Sequence, residues 1–218
     1  MFAFSESRPP VPAALAARLR PVALAGSRRL PLDEHWTTRL PEAGLRRGSS
    51  LVVQAPEGAG GVTLALSLLS EASRAGHWSA VIGVEDPGVA AVADLGVDLR
   101  RVMFVPRPRG AWAEAAADAL DGVDLLVVRP PARAPLTAAR RLVARVRECG
   151  AVLIVVTDPL APWPLPADVQ IDVKSATWVT SSRLLAREAV VRVEGRGAAR
   201  AAREFTITVP DQRGRVAG

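Results

Sequence analysis

Tyrosine is missing from this chain and lysine nearly so: Lys174 is the sole lysine among 28 basic residues, so the others are arginines. With no tyrosine and only four phenylalanines, the composition argues against an aromatic platform for stacking single-stranded nucleic acid. Cys149 is the one cysteine, which excludes an internal disulfide and implies a reduced, cytoplasmic setting. The two histidines, His35 and His77, have no cysteine or histidine partner at ligand spacing, so no metal centre is expected. With so few histidines, Thr180, Ser181 and Ser182 find no base for a catalytic triad. No stretch approaches the roughly 20 apolar residues that span a bilayer, and the longest, Ala151–Val156, reads as a buried strand. Met1–Pro12 carries three prolines and no apolar run, unlike a signal peptide, and no membrane partner is expected.

What is present suits one domain: 218 residues bury a sizeable core unaided by metals or disulfides. The net charge of +6 is almost wholly arginine. Two readings stay open, a GC-rich genome writing arginine for lysine at solvated helix positions, and a surface for phosphates, carboxylates or acidic partners.

Along the chain, residues 1–47 form an N-terminal segment, with a short helix expected over Val11–Arg20 between Pro12 and Pro21. Residues 48–158 alternate strands and helices. The strands are Ser50–Gln54, Ala80–Val84, Val102–Val105, Val123–Val128 and Ala151–Val156. The helices are Val62–Arg74, Val89–Leu95, Trp112–Leu120 and Leu136–Glu148. The strands are rich in Val, Ile and Leu without polar alternation, as in a mainly parallel sheet covered by helices on both faces. Residues 159–210 open with four prolines around Trp163 and continue as short strands at Val169–Lys174, Trp178–Ser182, Ala189–Glu194 and Phe205–Val209. A turn at Gly195-Arg196-Gly197 precedes the last of them. The tail, 211–218, is expected to fray.

Strand Ser50–Gln54 runs into Ala55-Pro56-Glu57-Gly58-Ala59-Gly60-Gly61-Val62-Thr63, where a P-loop protein keeps its phosphate cradle. Such a loop needs close backbone N–H groups, a lysine for the β/γ-phosphates and a hydroxyl for Mg²⁺. Aligned on Gly60, the first glycine is Ala55, the lysine is Gly61 and the hydroxyl residue is Val62. Thr63 falls one position late, turned roughly 100° around the helix. Gly58, Gly60 and Gly61 still permit an anion nest, but not efficient phosphoryl transfer. Given the missing charge, a plain strand–turn–helix holding no ligand is the favoured account of the loop, and no cofactor is assigned.

From Arg47 to Gly110 the chain resembles the ATPase core of the RecA recombinases. The resemblance is carried by Ala55-Pro56-Glu57, Thr63-Leu64-Ala65-Leu66, Glu85-Asp86-Pro87 and Asp94-Leu95-Gly96-Val97-Asp98-Leu99. It implies that Glu85 matches the glutamate orienting the attacking water. It also implies a metal-supporting aspartate after strand Val123–Val128, where this chain has Arg129. Asp124 lies at the other end of that strand. Within the superfamily the chain is most similar to the ImuA-type accessory proteins of bacterial mutagenic translesion synthesis, in their actinobacterial (ImuA-prime) form. Leu40-Pro41, Gly44–Ser49, Ala72–Trp78, Val105–Pro108 with Trp112, and Val193–Arg200 carry that likeness. It implies a non-catalytic adaptor in a damage-induced mutasome, binding an inactive Y-family-like (ImuB-type) polymerase that recruits an error-prone replicative-type polymerase. An ATPase with a displaced cation such as Arg129, a DNA-binding repair protein, and a RecA-like inhibitor of division are the alternatives.

Asp158, before Pro159, reads as a turn former. Trp36, Leu40, Trp163 and Leu165 are candidate partner anchors in the segments flanking the core, with packing as the alternative. Arg196, Arg200 and Arg203, with Arg213 and Arg215, are candidate contacts to nucleic acid. Their expected binding to DNA is weak and sequence-independent. Because counterion release drives phosphate contacts, affinity should fall steeply between low and physiological salt. A titration showing tight, salt-insensitive or sequence-specific binding would contradict this.

Overall fold

The computed structural model describes residues 28–41, 44–108, 111–131, 133–181, 184–196 and 201–217. The helix expected over Val11–Arg20 and Arg200 lie outside the described residues. The described chain opens with β1 (Arg29–Leu30), α1 (Glu34–Thr37) and β2 (Leu45–Arg46). The core follows as β3 (Ser50–Gln54), α2 (Gly61–Ser67), α3 (Ser70–Arg74), β4 (Ser79–Ile82), α4 (Val89–Asp94), β5 (Val102–Val105), α5 (Trp112–Ala119), β6 (Leu125–Val128), α6 (Leu136–Cys149) and β7 (Val152–Thr157). Three longer strands end it: β8 (Val169–Thr180), β9 (Leu184–Gly195) and β10 (Arg203–Thr208).

β3 to β10 make one eight-stranded sheet in the order β10-β9-β8-β3-β7-β6-β4-β5. From β5 across to β8 every pairing is parallel, while β9 and β10 add antiparallel. Because a strand alternates its side chains between faces, the apolar runs feed two cores. Leu51, Val53, Val81, Leu125, Val127, Val152 and Ile154 pack on one face with α2–α4 residues such as Leu64, Leu68 and Val92. Val52, Ala80, Ile82, Leu126, Val128, Leu153 and Val155 pack on the other with α5 and α6, through Trp112, Ala116, Ala139, Leu142 and Val146. Helix α6 shows how the sequence selects its face: Ala139, Leu142 and Val146 are buried at helical spacing, Arg140, Arg141 and Arg147 are exposed, and Gly150 closes the helix at φ 64°. The chain is thus an α/β domain with a mostly parallel sheet, an architecture compatible with a RecA-like core. Among the described residues no helix is long and apolar enough to cross a membrane.

Three elements differ from the sequence-based expectations. The helix expected over Val62–Arg74 is two helices, α2 and α3, joined by a turn at Leu68–Leu69. Every residue from Leu64 to Ser70 is buried, more than one face of a regular helix can bury, and the turn re-aims the chain to achieve it. The short strands expected at Val169–Lys174 and Trp178–Ser182 are one strand, β8, with a register shift between Val173 and Ser175 that absorbs Lys174. β9 is correspondingly twice as long as its apolar segment. The tail is not frayed over its described part: Ala217 pairs with Thr208, and the Asp211 carboxylate accepts from the Arg213 and Arg215 amides.

The anchors expected in the flanking segments are corrected by burial. Trp36 is fully buried, and its Nε1 donates to Ser67 Oγ at 3.0 Å. Leu40 and Trp163 are buried and Leu165 is half-buried, packed against the same core as Trp163. Trp36 and Leu40 are thereby taken up in covering the sheet, while Trp163 also lines the cleft described below and Leu165 keeps part of its surface exposed.

At the amino end of the sheet, Asp124 is buried and collects three groups. Arg47 Nη2 donates to it at 2.8 Å, the Trp78 amide at 3.2 Å, and His77 Nδ1 lies 3.4 Å away. This confirms that Asp124 stands at the opposite end of β6 from the cleft and holds the fold together there. Removing the buried carboxylate leaves the partly buried Arg47 guanidinium and the Trp78 amide without this acceptor. Asp124→Ala should therefore lose about 3 kcal/mol in urea unfolding. A loss near zero would show that the cluster is solvated.

Candidate functional site at the carboxyl ends of the parallel strands

Parallel strands end on one side, and the loops after them meet there. The loops after β3, β4, β5, β6 and β7 line a cleft of about 1240 Å³, with Arg187 from β9 in its wall. The cleft brings together all the degenerate-loop residues singled out in the sequence: Ala55, Glu57, Gly58, Gly60, Gly61, Val62 and Thr63 line it, as do Glu85 and Arg129. Glu57, Glu85 and Arg129 are exposed, and Thr63 is half-buried. Glu85 lies 3.6 Å from the Arg107 guanidinium. Asp158 accepts from the Leu160 amide at 2.8 Å, as a turn former does. Trp163 also contributes to the cleft wall from its buried position.

In space β7 pairs with β3, and β6, after which the resemblance implied a metal-supporting aspartate, lies beyond β7. Arg129 therefore extends from a strand two positions away from the phosphate loop. Among the described residues no cluster of three His, Cys, Asp or Glu side chains could hold a metal ion.

Arg187 is the site residue that sequence reasoning missed. β8 and β9 run on past β3, whose last residue Gln54 pairs with Asp172, as an antiparallel arm that β10 and the residues after it border along β9. On that arm Trp178 pairs with Arg187, and the guanidinium carbon sits 4.3 Å from the centre of the Trp178 ring. The other side of the guanidinium presses on Gly60: a methyl group there would overlap Arg187 Nη1 and come within 3.1 Å of its Cδ and Cζ. Gly60 thus has two reasons to be glycine, a φ of 88° and this contact. Arg187 Nε and Nη1 are shut off from solvent and make no hydrogen bond. Burial pushes the pKa of the guanidinium down. In sequence, Arg187 is one arginine among many in a strand of alternating character; only the pairing register brings it to the loop.

The basic end does not join this site. Arg196 donates its amide to the Asp168 carbonyl and lines a separate small pocket, and Arg203 is exposed at the start of β10.

The fold and cleft define an α/β domain with a mostly parallel sheet, compatible with a RecA-like core, and no lysine lines the cleft. The chain belongs to the family described as the MT3502 N-terminal domain, whose model matches residues 38–165. It is 37% identical over 109 residues to the Uncharacterized protein Rv3395c of Mycobacterium tuberculosis, covering 47% of this chain and 53% of that protein. It is also 38% identical over 91 residues to Protein RecA of Gluconacetobacter polyoxogenes, covering 39% of this chain and 26% of that one. The chain thus spans about half the length of the first relative and about a quarter of the second. The arm carrying Arg187 lies beyond the family match.

The Gly60–Arg187 contact makes a coupled prediction. Gly60→Ala should cost about 1–3 kcal/mol of stability, from left-handed backbone strain and displacement of the guanidinium. Adding Arg187→Ala should recover the part due to overlap and leave the part due to φ. Strictly additive unfolding free energies would show that the two residues do not touch in solution.

Proposed function

We propose that this chain is a non-catalytic RecA-like adaptor, an ImuA-type accessory protein of damage-induced mutagenic translesion DNA synthesis. In this reading it works in the cytoplasm and binds an inactive Y-family-like polymerase, which in turn recruits an error-prone replicative-type polymerase. The observation that carries it is the cleft's chemistry. Gly61 and Val62 stand where lysine and the metal hydroxyl belong, and β6 ends in Arg129 instead of an aspartate. Similarity to RecA supports a DNA-repair setting, and the missing groups favour a scaffold over an enzyme.

Arg187 favours a second reading, a RecA-like ATPase or repair protein with a non-standard nucleotide site, because it brings a cation to the loop from another strand. The guanidinium supplies neither the metal hydroxyl nor the metal carboxylate, so it replaces one lost group of three.

Two measurements test the adaptor. Turnover of ATP, with and without single-stranded DNA, should stay far below the roughly 1 s⁻¹ at the low end of typical enzymes. The purified chain should also capture the inactive polymerase-like protein directly, and its loss should lower damage-induced mutagenesis. ATP turnover near that rate establishes the second reading; absence of direct capture removes the first.

A further inference from the structure

We propose that the outer face of α6 is a docking surface for the phosphate backbone of duplex DNA, received by Arg140 and Arg147 on the helix and Arg133 just ahead of it. The choice of DNA over RNA rests on the repair setting proposed above; the surface itself does not.

Helix α6 carries the arginines Arg140, Arg141, Arg145 and Arg147 against a single carboxylate, Glu148. Its first turn holds no acidic residue, although the helix macrodipole favours one there. Arg141 and Arg145, one helical turn apart, form a like-charge pair that weakens the helix. Glu148 and the nearby Asp121 both face Arg145. Arg133, Arg140, Arg141 and Arg147 are exposed, and among the described residues no carboxylate pairs with them. A charged helix face that meets only water is ordinarily laced with both signs. Arg145 marks the α5 side of the helix, because Asp121 follows α5. On the other flank, a methyl group on Gly48, ahead of β3, would stand 3.6 Å from the Arg147 Cα. Arg140 and Arg147 lie about 140–160° around the helix from Arg145 and about 10 Å apart along its axis. They therefore share the flank turned away from α5.

The chemistry of the stripe selects the occupant. Leu136 is the one exposed large apolar side chain of α6, and the helix holds no aromatic ring. A protein partner needs an apolar centre inside a polar rim, and a single strand needs rings on which unpaired bases stack. Duplex DNA needs neither. It offers one negative charge about every 1.7 Å along its axis, and arginines that neutralise these charges release counterions. The neighbouring α5 limits the footprint: Glu114 and Asp118 are exposed on it and repel phosphate, which keeps the backbone on the flank of Arg140 and Arg147. The basic end of the chain is less suited, since Glu194, Glu204 and Asp211 are interleaved with Arg196, Arg203, Arg213 and Arg215.

The test uses the whole chain and a fluorescent DNA duplex of about 20 base pairs, roughly two helical turns, followed by anisotropy. Binding should be independent of sequence, with a dissociation constant below about 10⁻⁴ M at low salt. Three phosphate contacts give a log–log salt slope of about −2.7, so affinity should fall about fortyfold between roughly 50 and 200 mM salt. Arg133→Gln/Arg140→Gln/Arg147→Gln should weaken binding at least about tenfold at low salt and bring the slope close to zero. Arg133→Lys/Arg140→Lys/Arg147→Lys keeps the charges and should stay within about threefold of the unaltered chain. Glu114→Gln/Asp118→Asn should tighten binding by about twofold. Absence of binding, equal losses in the Gln and Lys variants, no loss in either, or weakening by the α5 substitutions overturns the proposal. Tighter binding of a single strand, an RNA duplex or poly-glutamate overturns it too. A loss confined to Arg203→Gln/Arg213→Gln/Arg215→Gln places DNA on the basic end instead, and self-association abolished by the Gln variant makes a second copy the occupant. The salt slope and the comparison of probes need only the unaltered protein, so they decide even if the Gln variant does not fold. The two readings fail separately. Capture of the polymerase-like partner without duplex binding removes the surface and leaves the adaptor. Duplex binding as expected without capture removes the adaptor and leaves the surface.

Discussion

Everything in this molecule depends on a sheet that is apolar on both faces. β3, β4, β6 and β7 are buried almost throughout, so each face needs its own layer of helices, and only crossovers between parallel strands deliver them. That requirement sends the chain back to the same end after each helix. It therefore gathers the loop after every core strand at one end, and the cleft is the geometric result. The opposite end must be closed by other means, and Asp124 with Arg47, His77 and the Trp78 amide does so.

The cleft lies where the loops after the parallel strands meet, and glycines turn the backbone after β3 into the strand–loop–helix. At the positions where the sequence comparison with a phosphate loop expects a lysine, a metal hydroxyl and a metal carboxylate, the chain has Gly61, Val62 and Arg129. Into that space the β8–β9 arm sends Arg187, stacked on Trp178 and pressed against Gly60. The loop thus meets a cation from a distant strand, held by the Trp178 ring. The same arm is the part of the described chain that departs furthest from a bare three-layer core.

The corrected anchors follow from the same physics. In the sequence Trp36, Leu40 and Trp163 read as parts of proline-containing irregular segments, where an exposed aromatic is a natural expectation, although Trp36 lies in α1. A two-faced sheet leaves margins that helices do not cover, and large apolar side chains from the flanking segments fill them. Trp36 reaches across to Ser67 at the break between α2 and α3, so the N-terminal segment and the helix break are parts of one arrangement. Among the described residues the exposed large apolar side chains lie elsewhere: Val89 and Leu136 begin α4 and α6, Met103 and Val179 lie in β5 and β8, and Leu160 lies in a proline-rich turn that gave no reason to single it out.

The order of strands and helices, the apolar strands and the residue types at the loop after β3 were legible in the amino-acid sequence. Each is a local property: hydrophobic period, a turn's glycines, or the residue type at a fixed offset from Gly60. Tertiary structure alone decided that β7, not β6, lies beside β3, that two short apolar runs fuse into β8 across a register shift at Lys174, and that Arg187 meets Gly60. Those outcomes depend on pairing between residues far apart in the chain, where a strand's partner and register are chosen by the whole sheet's packing and leave no signature in either segment by itself.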